Sequence, residues 1–161
     1  HNAVVMTAAT KNMVMAAPLN ISAANGNPQV NNKSKMHSGG SRWLHYNMFL
    51  LAKHVRPDFA IIDGVEGMQG NGPSSGFAVD HKIALAGDDA VAIDTLCCKL
   101  MGIPLENVGY LNYWAADGVG ITDRDKIDII GDKDPDKYIM QYKLSDNIDT
   151  QLKWNEPLQV L

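Results

Sequence analysis

The sequence predicts an α/β fold of three layers, a mostly parallel central sheet with helices on both faces. Three observations predict it. Two apolar runs, Phe59–Ile62 and Ile83–Ala86, read as buried strands. Segments with a helical period alternate with them along the chain. Each run also ends in acid and glycine, Asp63-Gly64 and Gly87-Asp88-Asp89, which is what α/β proteins present where strand ends meet ligands. A length of 161 residues suffices for one domain with a real core.

The elements follow in order. Residues 3–9 read as a short buried strand that leads into Lys11-Asn12, and the apolar stretch to Ala17 as helix or loop. Residues 18–40, rich in Asn, Ser, Gly and Pro, read as a long surface excursion, and loops of that length are usually functional or mobile. Trp43, Leu44, Asn47, Met48, Leu51, Ala52 and Val55 recur at three and four, so a helix is expected from Ser41, its N-cap, to a stop before Pro57. Strands at 58–63 and 82–87 flank a glycine-rich loop. Asp88 or Asp89 can cap the next helix, which ends at Gly102-Ile103-Pro104. A further helix fits 105–116, stopped by Asp117-Gly118. Residues 126–130 suit a sheet-edge strand, and the weakly patterned tail 133–161 holds one strand at most. No initiator Met, basic segment or signal-like apolar region opens the chain, so it is expected to be a piece of a longer protein and of a larger domain.

Bulk properties exclude some functions. A net charge of −4 with scattered Lys and Arg argues against a nucleic-acid groove, and only Lys33 and Lys35 look patch-like. No segment reaches the roughly 20 apolar residues that span a bilayer. Cys97 and Cys98 are adjacent in an apolar helix, which is neither a metal motif nor a bridgeable pair. They read as buried free thiols, and they point to a reducing, cytoplasmic location. Iron–sulfur clusters usually need four thiolates, so a cluster would have to be carried by a segment absent from this chain.

The chemistry-bearing residues concentrate between 58 and 102. Asp63 and Glu66 sit three apart beyond a strand, where they can coordinate a divalent cation or act as base and acid. The plainer reading is an Asx turn at Asp63 and a solvated Glu66. Asp89 is either a helix cap or a further metal ligand. Asp94 lies in a helix apolar on every side, so its carboxylate must be buried and must meet a cation, a donor cluster or a ligand. The stretch Gly70-Asn71-Gly72-Pro73-Ser74-Ser75-Gly76 can turn successive N–H groups into an anion-binding nest, or be a tight turn with no ligand. Lys11 either neutralises an anionic ligand or pairs with one of the acids. His37 and His45 flank the start of the first long helix as metal ligands or as ordinary surface and core residues; His54 and His81 are weaker candidates.

The expected site therefore has Lys11, Asp63, Glu66 and Asp94 as its catalytic residues. Asn12, Gly70, Asn71, Gly72, Ser74, Ser75 and Gly76 would bind ligand, and Asp63, Glu66, Asp89, His37 and His45 a metal. Asp63 and Asp89 are expected at the carboxyl ends of neighbouring parallel strands, under the Gly70–Gly76 loop, with Lys11 balancing the acids.

Several strings resemble a known family. Thr7-Ala8-Ala9-Thr10-Lys11-Asn12-Met13, Lys35-Met36-His37 and Arg56-Pro57-Asp58 through Asp63-Gly64 are similar to the family described as domain of unknown function 362. So are Glu66-Gly67, Gly70-Asn71-Gly72-Pro73, Gly87-Asp88-Asp89-Ala90-Val91-Ala92-Ile93-Asp94 and Leu100-Met101-Gly102, so that the resemblance covers roughly residues 1–131. It implies a largely uncharacterised family, in which many members carry a ferredoxin-like segment with cysteine motifs and the label iron–sulfur-binding. This chain has no Cys-x-x-Cys, and its Asn-rich excursion replaces a more compact link. Three readings follow: a cofactor- or metal-assisted domain of a bacterial or archaeal enzyme; a non-catalytic module that binds a small anion or docks a ferredoxin-like partner; or a structural half-domain. Acids clustered with Lys11 would favour the first. A basic-lined glycine loop with distant acids would favour the second, and acids sealed by local caps the third.

Overall fold

The computed structural model describes residues 1–21 and 30–156. The middle of the excursion (22–29) and the end of the tail (157–161) lie outside the described residues. Helices dominate: α1 (Ala9–Ala16), α2 (Asn32–Met36), α3 (Gly40–Ala52), α4 (Ala90–Leu100), α5 (Gly109–Asp117) and α6 (Ile148–Leu152). The strands form two antiparallel pairs, β1 (Asn20–Ile21) with β2 (Val30–Asn31), and β3 (Ala60–Asn71) with β4 (Ser75–Gly87).

This overturns the parallel three-layer sheet. The apolar runs at 59–62 and 83–86 do form strands, but they are the two arms of one long hairpin, with Ile62 opposite Leu85 and Asp63 opposite Ala84. Their carboxyl ends point in opposite directions, so the strand-end site built on Asp63 and Asp89 falls with the sheet. The expected strand at 3–9 is a turn followed by irregular backbone, and reaches α1 only at Ala9. Residues 126–130 form no strand; a 3-10 turn (Arg124–Lys126) gives way to irregular backbone there. Among the described residues the tail has no strand either.

The helix expectations fare better. α3 begins one residue before the expected 41–56 span and ends within it, with Gly39 rather than Ser41 as its N-cap, at φ 88°. Its buried face is Leu44, His45, Met48, Phe49 and Ala52, while Trp43 is exposed, so the face assigned from periodicity is rotated. α4 begins at the predicted cap, Asp89, whose Oδ1 accepts from the Val91 and Ala92 amides at 2.8 and 3.0 Å. α5 ends at Gly118 in the left-handed conformation, as the Asp-Gly stop predicts.

α1, α3, α4 and α5 pack around one core that includes Val4, Val14, Leu44, Met48, Cys98, Tyr110, Leu111 and Trp114. One face of the hairpin, with Ile62 and Leu85, packs on this core. The opposite face leaves Phe59, Ile61 and Phe77 more than half exposed. A bulge sets two residues of β4, His81 and Lys82, opposite Val65, with Lys82 at φ 59°. Bulges re-aim side chains, and this one buries His81, whose ring nitrogens lie 2.8 Å from the Tyr142 hydroxyl and the Tyr138 carbonyl.

The tail then runs back across the hairpin. Met140 and Tyr142 donate to the Leu100 and Met101 carbonyls beyond the end of α4, and Gly70 donates to the Lys143 carbonyl. Asn71 accepts from the Ser145 hydroxyl and the Asp146 amide. Polar residues at a hairpin tip thereby fasten a segment that shows little pattern of its own.

Candidate cleft between the first helix and the hairpin

A cleft of about 510 Å³ opens between α1, the hairpin and the tail. α1 presents Lys11, Asn12 and Met15 to it, and its N-cap Ala8 continues the same i, i+3, i+4, i+7 face. Lys33 and His37, one turn apart, approach from α2, and Ile62, Gly64 and Ile83 line it from the hairpin. The tail contributes Tyr142, Lys143, Leu144 and Ser145, none of them read as site residues from the sequence. Their weak local pattern carried no signal, because their position depends on the clasp with Gly70 and Asn71.

Lys11 is the most constrained of these groups. It is 8% exposed, and no carboxylate among the described residues lies within 4 Å of its ammonium. Burial, and then repulsion from the Lys33 ammonium, lowers its pKa to about 8. It is therefore still mostly charged at pH 7. Lys143 differs in being exposed, with Asp146 3.6 Å away.

The acids do not gather around Lys11. Asp63 reaches the rim of the cleft, and its Oδ1 accepts from the Val65 amide at 3.1 Å, an Asx turn at the bulge. Glu66 is exposed on the hairpin opposite Asp80 and lies outside the cleft lining. Asp89 sits in a separate cleft behind β4, where capping and a 2.8 Å bond from the Ile121 amide occupy both its oxygens. Asp94 is fully buried, and it accepts from the Ala9 amide at 2.7 Å and the Thr10 amide at 3.2 Å. It thus caps α1 from another helix, in place of an anion at that N-terminus. Burial raises its pKa to about 6, a rise limited by hydrogen bonding from Thr10 and Ala9.

The glycine loop is the tip of the hairpin. Gly70 and Gly72 line the cleft; Asn71 is committed to the tail, and Ser74, Ser75 and Gly76 lie outside the lining. Several glycines are set by close packing instead. A Cβ on Gly67 would lie 2.1 Å from the Tyr142 hydroxyl, and one on Gly76 2.6 Å from the Gln69 carbonyl oxygen.

His37 lines the cleft, its Nδ1 3.0 Å from the Lys33 carbonyl, whereas His45 is in the core. The His45 ring stacks on Tyr110 at 5.7 Å and accepts the Tyr110 amide at Nδ1, and burial pushes its pKa down to about 3. The metal set Asp63, Glu66, Asp89, His37 and His45 is therefore dispersed. Among the described residues no group of three or more His, Cys, Asp or Glu side chains could hold a metal ion. Cys97 and Cys98 are free and buried, and burial lifts the Cys97 thiol to about 12. Two such neighbours on one helix do not fit an iron–sulfur cluster. No helix among the described residues is long and apolar enough to cross a membrane.

No curated protein and no solved structure matches this chain significantly. The profile of the family described as domain of unknown function (DUF362) does, over residues 1–99. That span holds α1, the hairpin and nearly all of α4, and includes most of the strings on which the resemblance rests. The chain belongs to the DUF362 family.

Proposed function

We propose that this domain binds a small anionic molecule in the cleft beside α1. The observation that carries the reading is Lys11: a buried ammonium on the cleft wall, next to Lys33, with no carboxylate among the described residues to neutralise it. A buried charge without a partner is costly, and a bound anion offsets that cost. Asn12 and His37 add polar groups to the same wall, and Gly70 and Gly72 let a ligand approach the backbone closely. In a protein with net charge −4, a local pair of ammoniums also directs an incoming anion to this place. In this reading Lys11 and Lys33 hold the anion, and Asp63 at the rim keeps it off the outer edge by repulsion.

Titration with inorganic phosphate, followed by thermal melting, tests the reading. Phosphate should raise the melting temperature of the protein, and Lys11→Met or Lys33→Met should remove that rise. Lys11→Met should also melt higher than the parent without phosphate, because it removes a buried charge and keeps the stem. The phosphate effect should weaken above pH 8, as Lys11 loses its proton. A rise that survives both substitutions, or no rise at all, overturns the reading.

A further inference from the structure

We infer that the ligand of this cleft is an amphipathic acid, an anionic head joined to an apolar body; the inference rests on the anion-binding reading above. Unpaired positive charge and most of the apolar lining occupy different walls. Among the described residues the lining lysines without an ion-pair partner are Lys11 on α1 and Lys33 on α2, which lie close enough for their ammoniums to repel, whereas Lys143 on the tail faces Asp146. Apolar lining comes from elsewhere: Ile62, Leu100, Met101, Ile103 and Leu144, contributed by the hairpin, the end of α4 and the tail. Met15 lies one helical turn beyond Lys11 on the same face of α1, so the change from charged to apolar occurs within about 6 Å.

The polar groups deeper in the cleft are already satisfied. Both ring nitrogens of His81 are occupied by Tyr142 and Tyr138, and the Leu100 and Met101 carbonyls by the tail amides. A compact polyanion such as free phosphate would therefore meet donors at one end only and leave the apolar wall unfilled. A cleft of about 510 Å³ is in the range that holds a whole small molecule, well above what a single inorganic anion fills. The neighbouring cleft behind β4 makes a useful contrast. Its lysines differ from Lys11: Lys82 and Lys126 are both exposed and paired, with Asp80 and Asp123, so no buried ammonium there awaits an anion.

Calorimetric titration with acetate, decanoate and decanol, each kept below its aggregation concentration, tests the inference. Decanoate should bind at least 100-fold tighter than acetate and at least 10-fold tighter than decanol. Lys11→Met should bring decanoate down to the level of decanol, and Met101→Gln should weaken decanoate while leaving the phosphate effect in place. Melting curves of the two variants confirm that each is folded before titration. Equal affinity for acetate and decanoate, both sensitive to Lys11, overturns the amphipathic ligand and spares the anion reading. Decanol binding as tightly as decanoate, or neither acid binding, overturns both. Decanoate binding that neither substitution alters belongs to the exposed apolar face of the hairpin, and it too overturns the inference.

Discussion

Two buried side chains, Asp94 and His45, bear on stability between pH 6 and 4, and they act in opposite directions. Burial holds Asp94 near pKa 6, above its unfolded value of about 4, so the folded state takes up the proton first. Stability from this group therefore rises as pH falls from 6 to 4, by on the order of 2 kcal/mol, since the full gain at about 1.4 kcal/mol per pKa unit is reached only below pH 4. Burial holds His45 near 3, below its unfolded value of about 6.5, so the unfolded state binds that proton first and stability falls over the same range. Asp94→Asn removes the favourable slope. Urea unfolding at pH 4, 5 and 6 should then show the variant losing on the order of 2 kcal/mol more than the parent across that window; parallel slopes would mean that Asp94 does not titrate there. That Asp94 is buried was legible in the sequence, because a lone carboxylate in an apolar helix has few other options. Its partner was not legible, since the amide it holds lies 85 residues away at the start of α1.

At the scale of the element, the hairpin shows how a correct strand assignment can yield the wrong sheet. An apolar run such as Phe59–Ile62 reports burial but carries no information about the direction of its neighbour. The direction was written in the connection: Asn71-Gly72 between two extended runs is a short-range hairpin signal. Read as a ligand nest, it hid the antiparallel pairing. α4 was legible because Asp89 is a local cap whose partners are two and three residues away. Packing by the tail could not be read locally, and Gly67 measures it. Gly67→Ala drives a Cβ into the Tyr142 hydroxyl and should cost about 1–3 kcal/mol, as overpacking does. In a Tyr142→Phe background that cost should shrink, which a double-mutant cycle by urea unfolding reads directly. Equal costs in both backgrounds would mean that the tail yields without strain.

For the molecule as a whole, the cleft joins parts that are far apart in the chain. α1 and α2 supply the charge, α4 and the hairpin much of the apolar lining, and residues 142–145 the outer wall. Gln151 ties the same two ends again: fully buried, it accepts the Val5 amide at 2.6 Å and so holds a β-branched residue at φ 63°. Phosphate bound at Lys11 should thus slow hydrogen exchange in two separate stretches, 8–15 and 140–146, when followed by mass spectrometry. Protection confined to the first stretch would show that the tail takes no part in binding.

The family match and the cleft do not share a boundary. The matched residues end at 99, while the outer wall at 142–145 lies beyond them. The match therefore spans the two lysines and much of the floor, and stops short of the wall. Two of its four residues fasten that wall by their own hydroxyls, Tyr142 to His81 and Ser145 to Asn71, whereas Lys143 is held through its main chain, so its side chain can be exchanged without unseating the wall. In the anion-binding reading, a change at Lys143 alone alters which acid fits, while every residue within the family match stays as it is.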